Sequence, residues 1–239
     1  MNGLDLFSGI GGISYALRDY VRPVAYCEID TYCQAVLLSR MSSNEIATSP
    51  IWDDIRTLDP SKWRQAIDII YGGFPCQDIS IAGNGKGLEG ERSGLFYEIL
   101  RLAKEIKPSF IFLENVPAIR SRGGLQVVRE VAELGYDCRW LLISAKSCGA
   151  SHKRERWFML AYSKSERLPR GLPIRKEEGK PLFKFKVKYD EWDEEPKNKL
   201  ILAGMANGLP CRMDQIKCLG NAVVPQQCKK AFEILMGIK

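Results

Sequence analysis

Three short segments carry the side chains of this chain best suited to chemistry: Cys76 in GGFPCQDIS, Glu114 in SFIFLEN, and Arg154 with Arg156 in HKRERWFML. Pro75 fixes the backbone just before the Cys76 sulfur, which marks a placed thiol; the plainer reading is a free cysteine serving as a small buried apolar residue. The stretch from Gln77 to Gly94 is rich in glycine and polar residues, as a loop closing over a substrate would be. Glu114 ends an unbroken apolar run, where partial burial lifts a carboxyl into the range of a proton donor, although capping the turn before Pro117 is a common duty of acidic residues. Arg154 and Arg156 fall on one face of an extended segment by its period of two. Paired guanidiniums suit a phosphate or a polarised ring oxygen, and an exposed basic strand end explains them nearly as simply.

A second group of residues points to a nucleoside. In DLFSGIGG, Gly9, Gly11 and Gly12 allow a ligand close to the backbone at the carboxyl edge of a first strand, or simply satisfy a tight strand-to-helix turn. Glu28 follows nineteen residues after Gly9 at the end of a second strand, where it can accept from ribose hydroxyls, and Ser14 stands where a dinucleotide fingerprint wants Gly or Ala. An adenosine cofactor without a pyrophosphate fits these residues better than NAD. Asp54, in IWDDI, is then available to an adenine amino group, against the default of a surface-loop aspartate.

These groups need a scaffold, and the chain reads as doubly wound α/β. With 239 residues, 45% hydrophobic and 27% charged, it suits one domain, or one domain with a modest insertion. NGLDLF, PVAYCE, IDIIYG, SFIFLEN, YDCRWLLIS and RWFMLAY read as strands of a parallel sheet covered by helices on both faces. Apolar positions 95/96, 99, 102/103 and 106 predict one helix; Leu125, Val128, Val131 and Ala132 predict another that stops at Gly135. A last helix is expected from Pro225, packing Ala231, Ile234, Leu235 and Ile238 inward. No apolar run is long enough to span a bilayer, and the first residues are not a basic-then-apolar leader, so a soluble cytoplasmic protein is expected. Eight cysteines without C-x-x-C spacing, together with His152 as the single histidine, argue against a zinc site, a disulfide framework or a histidine-based triad. No metal is expected.

The formal charge of +6 is uneven, because residues 163 to 188 hold nine Lys/Arg against Glu166, Glu177 and Glu178. That stretch opens an insertion of about 50 residues, within which FKFKVKY alternates an apolar with a cationic face. It reads either as a polyanion contact or as a solvated, aggregation-resistant edge.

In this order and spacing, the motifs DLFSGIGG, Glu28, Asp54, GGFPCQDIS, RSGLF, ENV, HKRER and LGNAVVPQ resemble the DNA (cytosine-5) methyltransferase family, in the manner of a short prokaryotic or phage-like member. The resemblance covers residues 2 to 162 and about 215 to 236. It implies a Rossmann-like methyltransferase fold, with a catalytic domain of residues 1–162 and 214–239 and a short target-recognition region of residues 163–213. The implied reaction moves a methyl group from S-adenosylmethionine to carbon 5 of a flipped-out cytosine in double-stranded DNA, at a short specific sequence. In it Cys76 is the nucleophile, Glu114 manages the proton at ring N3, and Arg154 and Arg156 stabilise the ring oxygen. The cofactor positions implied are Phe7, Ser8, Gly9, Gly11, Gly12, Glu28, Ile29, Asp54, Ile55, Gly73, Pro75, Leu95, Asn221 and Ala222. The resemblance also implies a monomer without a metal or a membrane, alongside a cognate restriction endonuclease acting separately. The chain departs from the family at His152, where Gln is usual, at Asp53, where Gly is usual, and in the short insertion. The tRNA-methylating branch usually carries Cys-Phe-Thr and other RNA cytosine methylases a Thr-Cys pair, and both are absent. A silent DNA-binding regulator has no need of Cys76, Glu114 and Arg154 together, and a dehydrogenase reading fails at Ser14.

Overall fold

A computed structural model describes residues 1–75, 94–163 and 222–238. Its strands are β1 (Asn2–Leu6), β2 (Arg22–Cys27), β3 (Ile51–Trp52), β4 (Ile69–Gly73), β5 (Phe110–Asn115), β6 (Tyr136–Ser144) and β7 (Glu155–Ser163). They form a seven-stranded sheet in the order β3-β2-β1-β4-β5-β7-β6. The helices are α1 (Gly12–Leu17), α2 (Thr31–Ser42), α3 (Gly94–Ile106), α4 (Ile119–Arg122), α5 (Gly124–Glu133) and α6 (Pro225–Met236). The expected FKFKVKY strand lies outside the described residues.

Strand alternation sorts the apolar residues into two layers. Leu4 and Leu6 of β1, Ile70 of β4, Ile111 and Leu113 of β5, and Trp157, Met159 and Ala161 of β7 pack against α3 and α5. Ile69 and Tyr71, Phe110 and Phe112, and Phe158 and Leu160 point the other way and pack against α1 and α6. Both faces are therefore covered, which explains why β5 is buried along its whole length and reads as a continuous apolar run.

The all-parallel expectation needs a correction. β1 to β5 pair in parallel, but β7 inserts between β5 and β6 and runs antiparallel to both. The cause is the link from β6 to β7, which holds only a 3₁₀ turn, Lys146–Cys148, and so cannot supply the crossover that parallel neighbours require. The helix at 124–133 also buries a different stripe from the one expected. Gly124, Val127 and Val131 are inside and Val128 packs at the margin, while Leu125 is 74% exposed and Ala132 faces solvent. Gly124 is pressed against the Ile119 carbonyl, 3.0 Å from where a Cβ would stand, so this edge of the helix, rather than Leu125, meets the preceding turn. In α6 the inward face is Cys228, Ala231, Phe232 and Leu235, with Gln227 among them, whereas Ile234 is half-buried and Ile238 exposed. Among the described residues no helix is long and apolar enough to cross a membrane.

From β1 the chain goes first to β2 on one side and later to β4 on the other, so the sheet changes direction between β1 and β4. In open α/β sheets the crevice beyond the carboxyl ends of two such strands is where ligands bind. Gly72 makes the close approach of these strands feasible, since a Cβ there would run into the Leu6 carbonyl oxygen. Backbone cannot yield as a side chain can. Gly72→Ala is expected to cost about 3 kcal/mol or more, measurable as a drop in the urea midpoint at unchanged slope.

Candidate active site

The crevice is built from the ends of β1, β2, β4 and β5. After β1 the chain turns through Phe7 (φ 53), Gly9 (φ 54) and Gly11 (φ 78), left-handed backbone that glycine adopts freely and phenylalanine only at a cost. The hydroxyl of Ser8 is buried and bonded to the carbonyls of Asp5 and Cys27, so this side chain ties β1 to β2 rather than facing the crevice. Glu28 leaves β2 and accepts from the Gly9 amide at 2.6 Å and the Asp30 amide at 2.9 Å, which presses the glycine turn against the second strand. Ile29 beside it is an apolar side chain 65% exposed. Asp54 caps the 3₁₀ turn Ile55–Thr57, and both of its oxygens accept from the Arg56 guanidinium, which holds its carboxyl below the usual range. Ile55 is buried; Phe7 and Leu95 are partly buried against the same core layer.

On the far side of the crevice β4 runs out through Phe74 and Pro75. Cys76, with the segment that follows it, and Asn221 lie outside the described residues. What the fold does supply is the anchor before Cys76: Asn115 Nδ2 donates to the Phe74 carbonyl at 3.0 Å while its Oδ1 accepts from Val116 N. Gly73 is paired with Glu114, whose Oε2 lies 2.8 Å from where a Cβ of Gly73 would be, so the carboxyl group occupies the space a side chain would fill.

Glu114 is 8% exposed. Its register partner on β7 is Phe158, and Arg156, two residues earlier on the same face, reaches back to place Nε 2.8 Å from Oε1. Burial raises the carboxyl to about 7, and the guanidiniums of Arg156 and then Arg154 pull against that rise. Arg154 Nη2 donates to the Ala222 carbonyl at 2.7 Å. Burial and the neighbouring Arg156 lower the Arg154 pKa from its ordinary value. Glu114, Arg154 and Arg156 therefore share one corner of the site, and Ala222 joins it through Arg154. Val223 leans on Gly12, 3.1 Å from a Cβ position there, so the turn before α6 also reaches the glycine loop.

Burial raises the thiols of Cys27 and Cys138 to about 12 and about 11, and lifts those of Cys148 and Cys228 as well, so none of these four is a ready thiolate at neutral pH. No group of three or more His, Cys, Asp or Glu that could hold a metal ion occurs among the described residues.

With this geometry in hand, comparison with known proteins is decisive. The family model for C-5 cytosine-specific DNA methylases matches residues 1–208. The chain belongs to that family. The type II methyltransferase M.CviJI of Paramecium bursaria Chlorella virus IL3A is 34% identical over 238 residues, covering 96% of this chain and 58% of that protein. The type II methyltransferase M.HhaI of Haemophilus parahaemolyticus is 35% identical over 164 residues, covering 66% and 48% respectively. This chain thus spans about half the length of the curated relatives it matches. A solved structure of a Spodoptera frugiperda DNMT2 variant shares the fold, with a TM-score of 0.60 at 22% identity over 74% of this chain and 53% of that one.

Within this C-5 methylase fold, three buried polar residues escaped the sequence reading. Asp5 is 1% exposed on the α1 side of β1. Ser14 Oγ donates to its Oδ2 at 2.5 Å and meets the Tyr71 hydroxyl at 2.7 Å, while Oδ1 has no hydrogen-bond partner among the described residues. Alternation alone could have flagged Asp5, a carboxylate between Leu4 and Leu6 in a strand covered on both faces. Asn115 and Gln227 gave no such signal, because their partners are backbone carbonyls far off in sequence.

Burial raises Asp5 from 3.8 to about 7, against the hydrogen bond of Ser14. The folded state therefore holds a proton that the unfolded chain releases. The associated stability is complete below pH 3.8 and is lost as pH rises through about 7. Glu114 contributes with the same sign from 4.5 to about 7. Asp5→Asn should flatten, without abolishing, the fall in urea midpoint between pH 5 and pH 8; an unchanged slope would show that Asp5 titrates normally.

Proposed function

We propose that this chain transfers a methyl group from S-adenosylmethionine to carbon 5 of cytosine in double-stranded DNA, with Cys76 as nucleophile. The observation that carries the reading is a buried glutamic acid titrating near neutrality, clamped by Arg156, at the sheet edge toward which Phe74 and Pro75 lead the chain to Cys76. Carbon 5 of cytosine is too weak a nucleophile until sulfur has added at carbon 6.

The crevice fits S-adenosylmethionine. A Cβ built on Gly9 meets none of the described residues within 4 Å, which leaves room among them for a ligand to approach the turn. Glu28 is held for ribose hydroxyls, and Ile29 offers an exposed apolar surface to a purine. Phe7, Gly11, Gly12, Ile55, Gly73, Pro75, Leu95, Asn221 and Ala222 complete the proposed set. Asp54 would reach an adenine amino group only by sharing its carboxylate with Arg56, and Ser8 would contribute through its place in the turn. When bound, the cofactor supplies an electrophilic methyl group.

The chain's own residues do the rest. The Cys76 thiolate forms a bond to carbon 6, and Glu114 gives its proton to ring N3, so that the arriving charge is not left on the base. Arg154 and Arg156 donate to the ring oxygen and orient the base. After carbon 5 is methylated its proton leaves to a base or water, the carbon–sulfur bond breaks, and the N3 proton returns to Glu114. Inside a duplex carbon 6 is out of reach, so the target base flips out at a cost of about a few kcal/mol. Residues 163 to 213 are the proposed target-recognition region, where nine Lys/Arg between 163 and 188 would meet phosphates.

Cys76→Ser should abolish methyl transfer while cofactor binding, measured by calorimetry, persists. Duplex DNA carrying 5-fluorocytosine should become covalently attached to the unmodified chain and not to the variant; failure to trap it with binding confirmed refutes the nucleophile. Glu114→Gln should slow the single-turnover step by ~10²-fold or more with little change in DNA affinity. Because Glu114 must be protonated, the rate should fall as pH rises beyond about 7, and this limb should vanish in Glu114→Gln.

A further inference from the structure

α6 packs an apolar face of Cys228, Ala231, Phe232 and Leu235 against the sheet, and Gln227 is buried with them at 0% exposure. A carboxamide in such a place is costly unless it is hydrogen-bonded, and an aliphatic side chain would fill the volume equally well. Its use lies on the donor side. Nε2 donates to the Ile143 carbonyl at 2.7 Å and to the Arg154 carbonyl at 2.8 Å, whereas Oε1 has no partner among the described residues. The two carbonyls belong to the end of β6 and the residue that enters β7, where the Ala145 amide also reaches the Arg154 carbonyl at 3.1 Å. Arg154 in turn sends Nη2 back to Ala222, in the turn that starts α6. A closed circuit results, from α6 to the main chain of Arg154, along its side chain, and back to the entrance of α6.

We propose that Gln227 is a positioning residue for Arg154, fixing the main chain from which that guanidinium reaches the Glu114 corner and the target base. The inference rests on the methyl-transfer reading for its consequence in rate, but not for the contact itself. Loss of the two donor bonds leaves the Arg154 carbonyl with the Ala145 amide, so the β6–β7 connection stays closed while its tie to α6 is gone. The Arg154 and Ile143 carbonyls then lose their hydrogen bonds from α6 while the Arg154 guanidinium keeps Ala222, and displacement of a catalytic group by a fraction of an ångström is enough to slow a reaction.

Among the described residues, the groups facing Glu114 are Arg154 and Arg156 from β7 and its approach, the Gly73 backbone of β4, and Cys228 from α6. Its titration therefore reports where Arg154 sits. In chain labelled with carboxyl-¹³C glutamate, and with the Glu114 signal assigned through E114Q, R154A should raise the Glu114 midpoint. Q227M should raise it by about half a pH unit, and Q227M/R154A should move it no further than R154A alone. Single-turnover methyl transfer by Q227M should fall about tenfold at saturating DNA and cofactor, with both affinities unchanged. An unmoved midpoint in Q227M, additive shifts in the double variant, an unchanged rate at a shifted midpoint, or unfolding of both Q227M and Q227L by circular dichroism would each overturn the proposal. If the unmodified chain transfers no methyl group, the proposed activity fails, and the Glu114 titration still decides the role of Gln227.

Discussion

A carboxyl group almost out of water at the end of a central strand must either keep its proton or find a cation, and Glu114 is arranged to stand between those states. Burial pushes it toward the acid, while Arg156 at 2.8 Å and the nearby Arg154 push it toward the anion. The balance places it near neutrality, where it can give a proton and take it back. Much of the surrounding structure answers to this requirement. Gly73 has no side chain because the carboxyl group fills that space, and β7 must lie antiparallel beside β5 for Arg156 to arrive on the same face.

The second constraint is that the two halves of the crevice have to hold together although they come from distant parts of the chain. The glycine turn after β1 is pressed on one side by Glu28 and on the other by Val223. The turn that carries Val223 also receives the Arg154 guanidinium through Ala222. The proposed cofactor edge is thus joined to the proposed base edge by a few hydrogen bonds and one close packing contact. Asp5, Ser14 and Tyr71 form a buried polar layer beneath α1. This gives Ser14 a structural task beyond its value as evidence against a dinucleotide.

Six of the seven sheet strands, the helix at 94–106 and the final helix were legible in the chain because a strand or helix buried on a known face leaves a period that can be counted, whereas the two residues of β3 are too few to show one. So was the gathering of Glu114, Arg154 and Arg156 near strand ends, where their residue types are unusual. The stripe on α5 was misread because Leu125 looks like core by type, whereas it is Gly124 that faces inward, against the Ile119 carbonyl. Ser8 and Asp54 were assigned to a ligand by position in their motifs. Their side chains are already bonded within the protein, Ser8 to two backbone carbonyls and Asp54 to Arg56.

By itself the sequence determined the α/β class, the placement of Glu114 and the arginine pair at strand ends, and the membership of a methylase family, since all of these follow from residue type, order and short-range period. Only the tertiary structure decided the reversal of β7, the pairing of Arg156 with Glu114, and the grip of Asn115 and Gln227 on remote carbonyls. All of these join residues tens of positions apart, and Asn115 and Gln227 do so through main-chain groups that every residue possesses. Nothing in a local pattern can distinguish one carbonyl from another; only folding brings a particular one within reach.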